Sequence, residues 1–260
     1  MSSTVRPPED QPQQESLIEI EYYTDPLCCW SWAFEPQWRR LRYEYQGLIK
    51  WKYRMGGLLA NWNNFSDPLY SVNRPLQMGA VWLEAHQLTG QPIHNRIWGD
   101  DPPSSSYPAC IAVKCTALQS TDAQEAYLRH LREAVMLQGQ NIAKEAVLFD
   151  VANELAFRQP GLLDVEQLEQ DYRNGKGQEA FREDLYKVRF GNISRFPTLI
   201  LRKQGRHAFM IVGYRPYHVL QDALRQVAPG LRPVQEADGA AVYRNFWGST
   251  TEREIEEALT

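Results

Sequence analysis

The chain has 260 residues, of which 43% are hydrophobic and 23% charged, and its formal net charge is −4. This composition is typical of a folded globular protein and indicates no general affinity for nucleic acid or an anionic membrane surface. No segment is long and apolar enough to span a bilayer, and the proline- and glutamine-rich residues 1–16 are predicted to form a disordered tail, with no secretory signal. We expect a cytoplasmic protein with reduced cysteines.

The first folded unit begins with a strand and a helix. Residues 17–23 alternate apolar and polar positions as a strand does, residues 24–26 break the pattern, and residues 30–45 have the composition of a helix. Residues 49–55 are a second strand, ended by the glycines at 56 and 57. A right-handed crossover between the two strands predicts a parallel pair.

The middle of the chain shows mainly helical periodicity. The sequence patterns at Ser120 and Asp164 are typical of residues at which a helix begins. The segments 61–68 and 100–107 have the composition of loops. The predicted helices cover residues 109–118, 123–137, 142–157, 165–172 and 178–188. We interpret residues 59–189 as a helical insertion.

A closing unit follows the insertion. Residues 198–202 are a strand, a turn at 203–206 leads to its antiparallel partner at 207–212, and residues 217–227 are a helix. A βαβ opening and a ββα closing unit together predict an α/β, thioredoxin-like fold with one sheet and helices on both faces. The predicted thioredoxin-like domain comprises residues 17–58 and 190–232. Residues 233–260 form a C-terminal extension with a short helix, begun by the capping box Thr251-x-x-Glu254.

Cys28 stands where the first strand gives way to the helix, directly after Asp25-Pro26-Leu27. Unpaired N–H groups and the helix dipole at a helix N-terminus favour a thiolate, which is the nucleophile of thiol–disulfide exchange. The position therefore predicts a reactive cysteine. The alternative is a small buried core residue, as free cysteines often are.

Ser31 occupies the position where a dithiol enzyme carries its second cysteine. Its hydroxyl can cap the helix or donate a hydrogen bond to Cys28, but it cannot resolve a mixed disulfide. This pattern predicts monothiol chemistry, in which an outside thiol such as glutathione releases the enzyme. Cys29 is a poor resolving thiol for its neighbour because a bond between adjacent cysteines is strained, and we expect it to face the core.

Pro197 follows Phe196 and starts a strand, where the preceding peptide bond is either cis or trans. If it is cis, the loop from Arg195 to Thr198 faces the thiol and offers backbone groups to an extended substrate. The remaining cysteines, 110 and 115, lie in an apolar run and are predicted to be core residues. No zinc spacing, histidine metal motif or glycine-rich phosphate loop occurs, so we expect no metal and no cofactor.

Two motifs carry a family resemblance. Residues 25–32, Asp-Pro-Leu-Cys-Cys-Trp-Ser-Trp, resemble the Asp-Pro-x-Cys-x-x-Cys-Trp stretch of the DsbA-like branch of the thioredoxin superfamily, and residues 195–198 resemble its cis-proline loop. Within that branch, the chain resembles the cytoplasmic FrnE- and YjbH-like members. The resemblance implies a thioredoxin domain with an inserted α-helical domain, Cys28 as nucleophile and a cis Pro197. The chain departs from the family pattern at Ser31.

Three functions follow from these residues. The first is a thiol–disulfide oxidoreductase or isomerase acting on protein or glutathione mixed disulfides, with catalytic Cys28, Ser31 and Pro197. Its substrate would be held by Cys29, Trp30, Trp32, Arg195, Phe196 and Thr198. The second is a non-enzymatic adaptor that binds a protein partner. The third is a glutathione-dependent transferase or isomerase of the kappa type, in which Ser31 activates glutathione.

Overall fold

One mixed sheet organises the protein, whose structure is a computed structural model that describes residues 18–204 and 208–260. The predicted N-terminal tail and residues 205–207 lie outside the described residues. The strands are β1 (Ile18–Thr24), β2 (Ile49–Met55), β3 (Thr198–Arg202) and β4 (Phe209–Val212), in the spatial order β2–β1–β3–β4.

The strand pairing confirms the two predicted units. β1 and β2 are parallel, with Ile18 opposite Ile49, whereas β3 is antiparallel to both β1 and β4. Because β1 is a central strand, its alternate residues enter the cores on both faces of the sheet. Ile20 and Tyr22 are buried on one face, where Tyr22 packs edge-on against Trp38 with 5.1 Å between ring centroids, and Tyr23 is buried in a separate cluster on the other face.

The predicted helix at 30–45 is two helices, α1 (Cys29–Ala33) and α2 (Glu35–Glu44), which meet at Phe34. Pro36 explains the interruption. A proline has no N–H to donate to the carbonyl one turn earlier, but it fits the first turn of a new helix. The break lets α1 place residues 29–33 at the sheet end while α2 packs along the sheet.

Seven helices lie between β2 and β3 in the described chain. They are α3 (Pro75–Thr89), α4 (Ile97–Asp100), α5 (Tyr107–Gln119), α6 (Thr121–Met136), α7 (Glu145–Arg158), α8 (Val165–Arg173) and α9 (Lys176–Phe190). The sequence predicted the last five within a few residues but missed α3 and α4. Met78, Val81, Trp82 and Ala85 form the buried stripe of α3, whereas exposed leucines at 76, 83 and 88 obscure its helical period.

Asp184 of α9 joins this helical segment to the sheet. Its side chain is fully buried, accepts hydrogen bonds from Arg54 at 3.1 Å and the Met55 N–H at 3.0 Å, and pairs with Lys114 at 2.8 Å. A buried carboxylate needs such partners, because its hydration is lost. The ion cluster therefore fixes α5 and α9 against the end of β2.

The C-terminal residues form α10 (Tyr217–Val227), α11 (Ala240–Trp247) and α12 (Glu252–Ala258). The predicted capping box is present, since Thr251 accepts from the Glu254 N–H and the Glu254 carboxylate accepts from the Thr251 N–H. The sequence predicted α10 and a single short helix within residues 233–260, and it missed α11. α12 packs on α2, so the C-terminal segment covers the second helix after Cys28.

Candidate functional site around Cys28

Cys28 is the N-cap residue of α1. Its backbone N–H donates to the Asp25 carbonyl at 3.1 Å, and its Sγ accepts from the Ser31 N–H at 3.4 Å. The sulfur therefore takes the place that a serine or aspartate oxygen fills in an ordinary N-cap. Of the two roles expected for the Ser31 hydroxyl, a helix cap or a hydrogen bond to Cys28, the first is filled by Cys28 itself. Ser31 is fully buried, and its Oγ has no hydrogen-bond partner among the described residues.

The loop before β3 lies directly against this sulfur. The Phe196–Pro197 peptide bond is cis, as the family resemblance implied, and the Cys28 thiol points to the Phe196 carbonyl oxygen at 3.6 Å. Thr198 is buried and donates its hydroxyl to the Arg195 carbonyl at 2.7 Å. Thr198 thus holds the loop together, which corrects its predicted place on the substrate-binding surface, while Arg195 is exposed.

The Cys28 thiol is buried, with only 4% of the residue exposed. Burial raises its pKa above the ordinary thiol value, and the negative charge of Asp25 acts in the same direction. The Ser31 N–H and the Arg132 guanidinium lower the Cys28 pKa, but they do not outweigh burial. The expectation of an accessible thiolate at the helix N-terminus is therefore wrong for this structure. The N-terminus of α1 is present, but burial has the larger effect on the Cys28 pKa.

Asp25 is a fully buried acid next to this cysteine. One carboxylate oxygen accepts from the Leu27 N–H at 2.9 Å, and the other accepts from the Leu58 N–H at 2.7 Å, from Ser106 Oγ at 2.8 Å and from the Cys110 thiol at 3.3 Å. Burial raises the pKa of Asp25 in spite of these donors. The Asp-Pro motif drew attention to Asp25 in the sequence. The residues that donate to its carboxylate, such as Ser106 and Cys110, lie in distant parts of the chain.

Two residues predicted to touch substrate belong to the core. Trp32 is fully buried, its Nε1 donates to the Pro92 carbonyl at 2.8 Å, and the Arg129 guanidinium lies 4.6 Å from its ring centroid. Cys29 is also buried, as expected for a residue that faces the core, and burial raises its pKa well above the ordinary value. Neither side chain lines an accessible surface, because α1 turns this face toward the helical segment.

The surface around Cys28 is aromatic. Trp30 and Phe196, two of the residues expected to hold the substrate, are partly exposed. The sequence did not indicate Tyr70, which stacks on Trp30 with 6.3 Å between centroids and 21° between planes, or Tyr214, whose ring centroid is also 6.3 Å from that of Trp30. These four side chains, Trp30, Tyr70, Phe196 and Tyr214, are called the aromatic rim below.

Gly56 supports the rim from beneath. A Cβ built on Gly56 would lie 2.0 Å from Cζ of the Phe196 ring, so the ring packs directly on the glycine backbone. We expect Gly56→Ala to displace Phe196, to lower the free energy of unfolding by about 2 kcal/mol and to expose Cys28 to thiol reagents. Urea unfolding and the rate of reaction with a thiol reagent measure both effects. Gly230→Ala is the control, since no atom lies within 4 Å of its added Cβ; equal behaviour of the two variants would contradict this packing.

A buried ion network lies behind the site. Arg132 is almost wholly buried and donates to the Glu35 carboxylate and to the Thr24 hydroxyl, next to Asp25. Arg129 pairs with Glu254 of α12 at 2.5 Å and lies 3.7 Å from Glu35. The network connects the end of β1 with α2, α6 and the C-terminal helix. It therefore holds the backbone around Cys28 in a fixed position.

The described residues contain no group of three or more histidine, cysteine or acidic side chains that could hold a metal ion. None of the helices in that part of the chain combines the length and apolar character needed to cross a bilayer.

Together the sheet order, the cis peptide and the cysteine at the helix start define a thioredoxin-fold protein with a Cys-x-x-Ser site. A family model described as Thioredoxin matches residues 22–222. The chain therefore belongs to this thioredoxin family, and its fold is the DsbA-like one that the sequence predicted.

Known proteins similar to the chain include both adaptors and redox enzymes. The ClpXP adapter protein SpxH of Halalkalibacterium halodurans is 28% identical over 231 residues, which are 88% of this chain and 73% of that protein. A proposed protein disulfide isomerase from Nitrosomonas europaea has a similar fold, with a TM-score of 0.65 and 22% identity over 80% of this chain and 96% of its own. The cytosolic disulfide reductase DsbM of Pseudomonas aeruginosa has a TM-score of 0.57 and 19% identity over 88% and 97%.

Proposed function

We propose that this protein is a thioredoxin-fold adaptor, which binds a protein partner through the aromatic rim and does not need a reactive thiol. The observation that carries the proposal is the state of Cys28, which is buried and has a raised pKa. A disulfide enzyme works through a thiolate, and a dithiol enzyme also needs a second cysteine where Ser31 stands. Partly exposed aromatic side chains are typical of protein-binding surfaces.

The similar curated proteins favour the same function. They are named ClpXP adapter proteins, and the match extends over most of this chain. By analogy with that name, we propose that the partner is a protein presented to a ClpXP-type protease. We also propose a cytoplasmic location, because the described part of the chain contains four free cysteines and compartments that keep thiols reduced suit such a protein.

Partner capture by immobilised protein tests the proposal. Wild type and Cys28→Ala should retain the same partner from a lysate of the source cells, within about twofold, since the thiol takes no part. Trp30→Ala should reduce capture about tenfold, as expected for loss of a central aromatic contact. Phe157→Ala, which removes an 86% exposed ring of α7, is the matched control. Loss of capture in Cys28→Ala, or release of the partner by a reductant, would contradict the adaptor function.

A second function is favoured by the position of the Cys28 sulfur, 3.6 Å from the Phe196 carbonyl beside the cis peptide. An extended disulfide substrate would bind this loop, and the Cys28 thiolate would attack one sulfur, expel the other half as a thiolate and form a mixed disulfide. Glutathione would then attack the mixed disulfide and release the enzyme. Intact mass after incubation with oxidised glutathione tests this reaction, which should add one glutathione to wild type and to Cys29→Ser but none to Cys28→Ser.

The kappa-type transferase reaction has less structural support. Its essential group would be the Ser31 hydroxyl, which is fully buried and has no hydrogen-bond partner among the described residues. Glutathione bound at the surface would therefore meet Cys28 or Phe196 before Ser31. We accordingly rank this function below the other two.

A further inference from the structure

Tyr214, a member of the aromatic rim, is held from inside the protein. Its hydroxyl oxygen accepts a hydrogen bond from Gln37 Nε2 of α2 at 3.2 Å, and Gln37 is almost wholly buried. The ring packs edge-on against Phe34, with 6.4 Å between centroids. The preceding Gly213 N–H donates to the Pro197 carbonyl at 2.8 Å, which ties the backbone to the cis-proline loop. The backbone and the ring of Tyr214 are thus fixed by separate contacts.

Gln37 links Tyr214 to the C-terminal helix. The same Nε2 donates to the Glu257 carboxylate of α12 at 3.2 Å, so the two hydrogens of one amide nitrogen serve two acceptors. Glu257 also accepts from Arg253 at 2.5 Å and lies 3.6 Å from Arg40. These arginines hold the carboxylate in place independently of Gln37. A fixed carboxylate on α12 therefore orients the amide that reaches Tyr214.

α12 lies outside residues 22–222, which the family model matches, yet it contacts the helices behind the rim. Besides packing on α2, it reaches the end of α3, where Arg253 Nε donates to the Thr89 carbonyl at 2.8 Å. In the described part of the chain, the side chain of Gln37 bonds only to Tyr214 and Glu257, since its Oε1 has no partner there. Loss of either contact would leave buried polar atoms unsatisfied, so the amide has one favoured orientation. The C-terminal segment is therefore coupled to the rim through this buried side chain.

We propose that Gln37 and Glu257 are positioning residues for partner binding, through which α12 holds Tyr214 at the distance from Trp30 that the partner requires. This inference rests on the adaptor function and adds a support from the C-terminal segment to the aromatic rim. The Tyr214 ring is partly exposed, and its centroid lies 6.3 Å from that of Trp30. A shift of the ring would therefore change the surface that the partner meets.

Fluorine NMR of the full chain labelled with 3-fluorotyrosine reports the surroundings of Tyr214 without a partner. The Tyr214 resonance is identified by its loss in Tyr214→Phe. Gln37→Met removes the amide but keeps the length of the side chain, and it should move this resonance, as should Glu257→Ala. Glu257→Gln keeps an acceptor for the amide and should leave the resonance close to its wild-type position. Gln124→Met is the control, since Gln124 is also buried and its Nε2 has no partner among the described residues.

Partner capture from a lysate of the source cells separates positioning from a purely structural role. The readout is the protein that wild type retains and Trp30→Ala does not. Gln37→Met and Tyr214→Phe should each reduce its capture about fivefold, as expected for loss of one hydrogen bond. The double variant should lose no more than either single variant, because without the Tyr214 hydroxyl the amide has nothing to position. A purely structural role of Gln37 would make the two losses multiply.

An unchanged Tyr214 resonance in Gln37→Met would overturn the proposal, as would multiplied losses in the double variant. Failure here differs from failure of the adaptor function. If Trp30-dependent capture is the same in wild type, Gln37→Met and Tyr214→Phe, the positioning role is wrong and the adaptor stands. If wild type captures no partner while the resonance moves as described, the adaptor function is wrong, and with it the use of this link in binding.

Discussion

Replacement of Glu254 by alanine is expected to lower the free energy of unfolding by about 4 kcal/mol. Glu254 is fully buried on α12, where its carboxylate accepts from Arg129 at 2.5 Å, from Arg39 at 2.9 Å and from the Thr251 N–H at 3.0 Å. Without it, two arginines are left buried with fewer counterions, and a helix cap is lost. Urea unfolding followed by circular dichroism measures the change.

A neighbouring variant separates the network from helix α12 itself. Glu252→Ala removes a carboxylate whose side chain is 81% exposed and pairs only with Arg244 among the described residues. We expect a change within about 0.5 kcal/mol, since exposed ion pairs contribute little. A similar small loss for Glu254→Ala would show that the buried network does not hold the C-terminal segment.

The Glu254 carboxylate also gives the protein an acid-sensitive contribution to stability. Burial alone would raise its pKa, but Arg129 and Arg39 outweigh burial and hold the pKa below its ordinary value. The folded pKa is lower than the unfolded value of about 4.3, so this contribution is fully present above that pH. It is lost as the pH falls through the folded pKa. Glu254→Gln should therefore reduce the difference in stability between neutral and acidic solution.

Asp184→Ala is expected to lower the free energy of unfolding by about 3 kcal/mol, because it leaves Arg54 and Lys114 buried without their shared carboxylate. The expected loss is smaller than for Glu254 since Arg54 keeps its pairing with Glu21 at 2.8 Å. Thermal unfolding followed by circular dichroism tests it, with the exposed neighbour Glu183 replaced by alanine as control. Unchanged stability of the Asp184 variant would mean that the insertion does not depend on this cluster.

The thioredoxin elements could be predicted from the sequence because their signals are local. Strand alternation, the Asp-Pro break and the Phe196-Pro197 pair each occupy a few neighbouring residues. The interruption at Phe34 could also have been predicted, since Pro36 is a sequence signal for a helix start. Helix α3 could not, because exposed leucines such as Leu76 give it apolar residues on every side.

The state of Cys28 could not be predicted from the motif alone. A helix N-terminus favours a thiolate, but burial opposes it, and the residues that surround Cys28 come from remote segments of the sequence. Ser106 and Cys110, which hold Asp25, lie more than 80 residues away in the sequence, and Arg132 lies farther still. Likewise, nothing in the sequence places Tyr70 on Trp30. The Asp-Pro-x-Cys motif therefore predicted the position of the Cys28 thiol but not the burial that raises its pKa.

The most direct test of a buried, protonated Cys28 is the pH dependence of its alkylation in the full chain. Iodoacetamide labelling would be followed by mass spectrometry of the peptide containing residues 28 and 29, with fragmentation to distinguish the two cysteines. We expect slow labelling of Cys28 with a midpoint above about 8.5, the value for a free cysteine, because burial raises the pKa of this thiol. Rapid labelling with a midpoint at or below about 7, as in enzymes that use a cysteine thiolate, would contradict the account.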